Sequence, residues 1–534
     1  MASGSPNADT SAPRREMSFG ANAILNVSSW FVPALVALIA VPITVRGLGA
    51  DAYGLLALVT AVTGYLGLME MGLGTAIVRY LSFYRALNQG RPMLGIIRFA
   101  STWFGAAGAI GALGLFFGAH WIATVVLHVP ATLVDTAVDV LHITALGFFS
   151  GMFVSVGAAI PQAFLRYDLA AGMTAVFGVL GSAGPAVLVL LGYGLTAVVA
   201  YAAAINVTTA IIYALIARHL FRPIDITAGP EWRTIRRETL RFAGVAALNQ
   251  MHSVIASQAS RVVVGAALGV AAAAYYQVPS LLSSRVSSML SRVAYVVFPT
   301  ASGMRARDDH EGVTRLYLRT SRLIFVINGS VTMAMCALSA PLLQYWVSPE
   351  YAREGAAALA IFSISNAING STMSASYVNL SATRPGVNLA FAFSNSAVAL
   401  ATIYPLTVRY GVTGAAFAGL LGATNVPVFL WYAHKHVIHT SSWLVWRTCY
   451  QPTVLGNVLA GIPIFLFVAP LLPNLLWTLA TFVAAIVAGG AISGVLGAVK
   501  REDIHDMTQL IAHAFSRLTA HRRTRNIDDV GEAG

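Results

Sequence analysis

Charge is what this chain has least of. Its 534 residues include 33 Lys and Arg and 21 Asp and Glu, about 10% charged in all, where a soluble domain carries roughly 25%. A soluble protein of this length folds as several domains, each with a polar face to present to water. So few charges cannot cover those faces. This excludes a soluble enzyme, a nucleic-acid-binding module and a disordered chain. Cysteine is nearly absent as well: Cys336 and Cys449 both sit in apolar stretches, and neither a disulfide framework nor a Cys-x-x-Cys metal site is legible. No phosphate-cradling glycine loop, His-Glu-x-x-His pair or Asp-rich metal motif occurs, so no cofactor or metal is expected and an energy source other than bound nucleotide is implied. The first twenty residues hold Arg14 and Arg15 but no apolar core with a cleavage site, and read as a flexible cytoplasmic tail with no signal peptide.

What the chain has in abundance is apolar length. Hydrophobic residues make up 57% of it and the mean hydropathy is +0.71. A spanning helix needs about 20 mostly apolar residues. Fourteen such stretches can be drawn: 21–45, 54–77, 99–121, 137–160, 170–191, 195–217, 242–265, 275–299, 323–346, 355–379, 387–408, 412–433, 448–471 and 475–499. Their apolar runs are continuous and rich in Gly and Ala, not alternating as barrel strands would be. The expected fold is therefore an all-α polytopic membrane protein with about 14 transmembrane helices, packed closely through small residues.

The arginines orient it. With the N-terminus inside, the inside segments hold 27 Lys and Arg and the outside ones three, Arg46, Arg353 and Arg409. That asymmetry puts both termini in the cytoplasm. The outside loops are short, which leaves no room for an external catalytic domain. The tail 500–534 reads either as an amphipathic helix (Ile504, Met507, Leu510, Ile511, Phe515, Leu518) on the inner membrane surface or as a solubilising tail.

A weak internal repeat organises the spans. Residues 19–26 match 242–249 at four of eight positions, and Leu48-Gly49 with Tyr53 parallels Leu268-Gly269 with Tyr275, at nearly the same offset along the chain. An even number of spans separates the copies, so the repeat is parallel, about an axis along the membrane normal. The expected organisation is a tail 1–20, a first lobe 21–217 (spans 1–6), a cytoplasmic linker 218–241, a second lobe 242–433 (spans 7–12), two added helices within 434–499, and a basic tail 500–534. Two bundles about such an axis enclose a cleft, and rocking them gives alternating access. That favours a transporter over a channel or an enzyme.

Charges inside spans cost about 2.5–3.5 kcal/mol each on insertion scales, so each calls for a reason. Arg285 and Arg292 lie seven apart, two helical turns, on one face of span 8 with Ser284, Ser288 and Ser291 nearby. They read as a cationic stripe for a phosphate or pyrophosphate; the plainer alternative is that Arg292 snorkels and Arg285 pairs with a carboxylate. Arg261, about four residues from the outer end of span 7, either lines the outer cleft or snorkels outward; Asn249, Gln250, His252 and Gln258 share its helix. Glu70 in span 2 is either an ion-coupling carboxylate or half of a structural pair. Asp139 reads as solvated and His142 as a satisfied interior histidine. Asn22, Asn26, Asn366 and Asn369 read as binding groups or as interhelical glue.

Val41-Pro-Ile-Thr-Val-Arg-Gly-Leu-Gly-Ala-Asp-Ala-Tyr-Gly54, then Glu70-Met-Gly-Leu-Gly74 and Arg79, resembles the first two helices of the polysaccharide-biosynthesis flippases, the O-antigen flippase (Wzx) type. Arg261, Leu268-Gly269, Tyr275 and Phe298-Pro299 resemble that family's seventh and eighth spans. Ala340-Pro-Leu-Leu-Gln-Tyr-Trp346 with Glu350-Tyr351-Ala352, and Tyr410-Gly411 with Gly414-Ala-Ala416, resemble its ninth and twelfth. The resemblance covers roughly residues 19–500. It departs from the family in having Ser260 where an acid often precedes the span 7 Arg, and Glu70 where Asp is commoner. The family shares a superfamily (MOP) with multidrug and toxin extrusion exporters and lipid II flippases. It implies a two-lobed transporter of the bacterial inner membrane that moves a polyprenyl-diphosphate-linked oligosaccharide outward. Its cavity would be cationic, here Arg79, Arg261, Arg285, Arg292, Asn26 and Asn249, with proton or sodium coupling at Glu70. The partners implied are the lipid-linked oligosaccharide, membrane lipids, a polysaccharide polymerase and a chain-length regulator; the chain itself is expected to be a monomer, with no nucleic acid. A drug–cation antiporter is the alternative within transporters, disfavoured by three arginines against two acids in the spans. A membrane polymerase is the alternative outside them, disfavoured by the short outer loops.

Overall fold

The computed structural model describes residues 19–499 other than 71, 223, 226, 296, 383 and 384. The two tail readings, 1–20 for all but its last two residues and 500–534 entirely, lie outside the described residues, as do the side chains of Asn22, Asn26 and Asn249. Among the described residues every regular element is helical. The chain is an all-α, multi-pass membrane protein. Nine helical stretches are long and apolar enough to cross a bilayer by length and composition. Two of these, Phe31–Glu70 and Gly386–Ile438, each take in a pair of the expected spans. The other three expected spans, 7, 8 and 10, are helical too but carry too many polar side chains to qualify on composition. Large apolar side chains face outward, Phe117 at 80% exposure and Leu471 at 79%. That is the surface hydrocarbon requires and water penalises.

The chain packs as two compact units. The first takes in the described residues of Met1–Leu48, Thr63–Val125 and Ala131–Met251; the second takes in those of Gly49–Val62, Val126–Pro130 and His252–Gly534. In the first unit lie most of α1 (Phe19–Leu66), with α2 (Leu73–Ala86), α3 (Gly90–Phe117), α4 (Val134–Ala163), α5 (Tyr167–Leu190) and α6 (Leu195–Phe221). Its most deeply buried side chains are mainly aliphatic: Ile77, Leu81, Met93, Ile96, Phe104 and Leu141 are at most 2% exposed. Small residues set the helix spacing, as expected. A Cβ on Gly157 of α4 would collide with the Cβ of Tyr213 on α6.

The start of α3 carries the segment that follows α6. Arg91 donates its backbone N–H to the Ala228 carbonyl at 2.9 Å and its guanidinium to Glu231 at 2.6 Å. Gln89, at the N-cap of α3, makes no side-chain capping bond, so the Ala228 carbonyl supplies one of the partners that a helix start lacks. Within the same segment the Thr227 hydroxyl and amide both donate to Asp225, holding its carboxyl below the usual range.

The second unit contains α8 (Val270–Ala294), α9 (Val297–Arg305), α10 (His310–Ala337), α11 (Ser339–Trp346), α12 (Pro349–Gly370), α13 (Met373–Ser381), α14 (Pro385–Gly422), α15 (Val426–Ala433), α16 (Gln451–Pro463) and α17 (Leu475–Ser493). The long helix before them, Trp232–Leu268, which we label α7, contributes its second half. Several starts are capped by side chains as such sequences should be. Asp309 accepts from the Gly312 amide at 2.7 Å and Asn474 from that of Trp477 at 3.1 Å. Arg322 is only 7% exposed on α10.

Five spans expected to be continuous are interrupted, two of them (3 and 9) by a single residue, Gly118 and Leu338. Span 2 runs from Gly49 through a 3₁₀ turn, Gly67–Glu70, and resumes at Leu73 after Gly72 in the left-handed region (φ 63°). Span 8 stops at Ala294 and resumes at Val297. Span 10 stops at Gly370 and resumes at Met373.

Backbone landmarks recur at the spacing the repeat predicts. Positive φ occurs at Gly49 and again at Gly269, at Asn88 and Asp308, and at Gly192 and Gly411. Helices α3 and α10, each 28 residues long, begin at Gly90 and His310, the interval that separates Gly49 from Gly269.

Candidate substrate-binding site

Helix α8 carries two of the candidate arginines. Arg285 and Arg292 are both exposed on the face that also exposes Ser284 and Ser288. Seven residues at 1.5 Å each separate the two Cα atoms by about 10 Å along the axis. The serine hydroxyls donate to carbonyls of their own helix: Ser284 to Leu281, Ser288 to Ser284 and Ser291 to Ser288, each at 2.9 Å. Their lone pairs stay open to accept from a hydroxylated ligand. Arg285 makes no ion pair among the described residues. Its fork of N–H donors is thus open to an anion, which guanidinium binds bidentately.

Arg261 belongs to α7 and to the same unit. The helix continues to Leu268, so the residue lies two turns from its end, deeper than expected. Its guanidinium is half-buried, donates to Gln258 at 3.1 Å and has the rings of Tyr276 and Tyr53 as its electrostatic neighbours. Both tyrosines are buried. Nearby, the Tyr275 hydroxyl donates to Glu350, and the Tyr275 and Tyr351 rings meet edge to face at 4.9 Å. Tyr351 and Glu350 entered the sequence reading only as resemblance motifs, Tyr53 and Tyr275 also through the internal repeat, and Tyr276 was missed. The signal available was their clustering at the starts of spans 2, 8 and 10.

Glu70 and Arg79 lie in the first unit. Glu70 closes the 3₁₀ turn in the interrupted span 2 and is half-buried. A Cβ on Gly74 would lie 3.0 Å from its Oε1, so the carboxyl folds back over the start of α2. A helix N-terminus favours negative charge there. The break itself is satisfied locally: the Trp103 indole donates to the Met69 carbonyl at 3.1 Å, and the Thr75 hydroxyl to that of Gly72 at 2.8 Å. Arg79 is exposed on α2, its guanidinium 5.5 Å from the Tyr80 ring centroid. His142 is satisfied, with Nε2 3.1 Å from the Phe116 carbonyl.

The second unit has a polar interior built around the asparagines of span 10. Asn366 donates to Ser283 at 2.6 Å, Asn395 to Asn369 at 2.8 Å, and Asn369 to the Ser365 carbonyl at 2.9 Å. Both asparagines picked out in span 10 therefore link helices. A separate cavity of 640 Å³ lies between α10, α12 and α16, with walls that include Phe325, Met333, Ile364, Ile368 and Phe465. It suits hydrocarbon and offers an anion no cation.

Comparison with known proteins gives a consistent answer. A protein of Shigella flexneri provisionally named an O-antigen transporter is 20% identical over 337 residues, 63% of this chain and 78% of its own length. Among solved structures, lipid II flippase MurJ in its inward closed conformation superposes with a TM-score of 0.69 at 14% identity, covering 90% of this chain and 99% of that one. An inward-facing multidrug resistance MATE family transporter of the MOP superfamily superposes with a TM-score of 0.62 at 17% identity, covering 79% and 99%. At such identities the likeness shows a shared fold. The profile of the polysaccharide biosynthesis protein family matches residues 43–354, more than half of the sequence, and the chain belongs to that family.

Proposed function

We propose that this protein is a flippase that carries a polyprenyl-diphosphate-linked oligosaccharide across the bacterial inner membrane by alternating access, with both termini in the cytoplasm. The observation that carries the reading is the exposed arginine face of α8. Arg285 and Arg292 sit among hydroxyls on a helix otherwise built to be buried, the chemistry a diphosphate and its sugars require. Arg261, Arg79, Asn26 and Asn249 are the further binding groups proposed, and Glu70 the coupling carboxylate for a proton or sodium ion. The apolar cavity between α10, α12 and α16 would accept hydrocarbon, either the cargo's tail or a membrane lipid. The recurring backbone landmarks support lobes at 21–217 and 242–433 joined by 218–241, with 434–499 as an addition. The protein transports and does no covalent chemistry in this reading; a polymerase and a chain-length regulator would act on what it delivers.

Glu70 in the interrupted span favours one other reading, a cation antiporter of the multidrug type. Cells lacking the protein separate the two. If complete lipid-linked single units accumulate on the cytoplasmic face of the inner membrane, the protein is a flippase and the glycan identifies its cargo. Units displayed outside but unpolymerised would make it part of the polymerase system. Unchanged lipid-linked sugars would sink the flippase and leave the antiporter.

A further inference from the structure

A break inside a membrane helix is where a hinge would be sought, since hinge motions are absorbed at a few element-terminal residues. In span 10 the packing speaks against one. Its two halves are α12, which ends at Gly370, and α13, which begins at Met373. Helix α8 bonds both. The Asn366 amide of α12 donates to the Ser283 hydroxyl at 2.6 Å, and the Tyr377 hydroxyl of α13 donates to the Ser291 carbonyl at 3.2 Å. The first half of α14 bonds both as well. Asn395 donates to the Asn369 side chain of α12 at 2.8 Å. Asn388 donates to the Ser376 carbonyl of α13 at 2.9 Å and accepts from Asn379 at 3.1 Å. Asn388 and Asn395 are seven residues apart, two helical turns, and so share one face of α14.

The carbonyls around the break are partnered too. The Ser371 and Thr372 hydroxyls donate back to the Ile368 and Asn369 carbonyls, each at 2.7 Å. Asn328 of α10 donates to the Ala367 carbonyl, and Tyr450, just before α16, to the Ser371 carbonyl, each at 3.4 Å. Gly370 leaves the room this needs, because a Cβ there would collide with the Asn328 amide. Bending at the break would turn one half of span 10 against neighbours that also hold the other. Those bonds would have to open within the bilayer, where no water replaces them. We infer that the break in span 10 is a fixed kink and not a hinge, and that α8, α12, α13 and the first half of α14 move as one block. Asn366 and Tyr377 are then positioning residues: they seat α8, whose exposed face carries Arg285 and Arg292. The block does not depend on what is transported; the positioning role rests on the cargo reading proposed above.

Distances across the break test the block. In full-length protein with Cys336→Ala and Cys449→Ala, nitroxide labels are placed at Ala357→Cys on α12 and Leu380→Cys on α13, both exposed positions. Pulsed electron–electron double resonance in nanodiscs should give one narrow distance population, unchanged when farnesyl diphosphate, a short water-soluble polyprenyl diphosphate, is added. Two populations, or a mean that moves with the probe, would overturn the inference. Replacing Asn388→Leu and Asn395→Leu together should broaden the population; an equally narrow one would show that the asparagines do not set the kink. The positioning role has its own readout. Asn366→Leu and Tyr377→Phe should each weaken farnesyl diphosphate binding several-fold, and affinity equal to that of the unaltered chain would remove that role. No binding by the unaltered chain would remove the diphosphate reading and the positioning role with it, while the block would still be decided by the distances.

Discussion

Arg285 concentrates the functional argument into one side chain. It is costly to place in a membrane helix, about 2.5–3.5 kcal/mol on insertion scales, and among the described residues it has no acid to offset that cost. Arg285→Ala should therefore insert at normal or higher levels and lose transport, read by accumulation of lipid-linked units in a complementation strain. Arg285→Lys keeps the charge but not the planar fork, and should restore only part of the activity. Full transport by the Ala variant would remove Arg285 from the site. Glu70 makes a different prediction. If its carboxyl carries the coupling proton, Glu70→Gln should still bind cargo but lose the response of transport rate to an imposed pH gradient, which Glu70→Asp should keep. The arginines were legible because charge is rare in this chain, so each one stands out. The bond between Tyr275 and Glu350 was not legible, because only the packing of α8 against α12 brings the two side chains together.

Elements were legible in proportion to how uniformly apolar they are. Every one of the fourteen expected spans falls on helix, yet their interruptions escaped notice. A window about twenty residues long averages over a turn of three or four, and Met71-Gly72-Leu73-Gly74 reads as apolar throughout. Spans 7, 8 and 10 sit at the other limit: each was drawn as a mostly apolar stretch, yet polar side chains lower its average below that of the other spans. Close packing gives the prediction at this scale. On α4, Gly157 lies against the Tyr213 side chain of α6 at a distance no Cβ can occupy, while Gly151 has nothing within 4 Å. Gly157→Ala should separate α4 from α6 and cost about 1–3 kcal/mol, as overpacking does. Gly151→Ala should be neutral or stabilising by up to about 1 kcal/mol, the helix-propensity gain. Thermal unfolding of the two variants in detergent checks both. Equal melting temperatures would mean that the α4–α6 contact is soft.

At the scale of the molecule, direction of transport depends on orientation, and orientation rests on where the arginines lie. The split of 27 inside to three outside is a statement about insertion energetics, whereas the packing of each unit would be the same either way up. Orientation therefore has to be measured on the surface. Tyr193, in the turn between α5 and α6, is 55% exposed and belongs to an outer loop in this reading. Lys435, exposed just beyond α15, belongs to an inner one. In a chain with Cys336 and Cys449 replaced, Tyr193→Cys should react with a membrane-impermeant maleimide in cells whose outer membrane has been opened. Lys435→Cys should react only after the inner membrane is broken. The opposite pattern would invert the protein. The arginine-bearing face of α8 would then begin from the other leaflet, and outward delivery of a cytoplasmic lipid-linked sugar would fail together with the orientation.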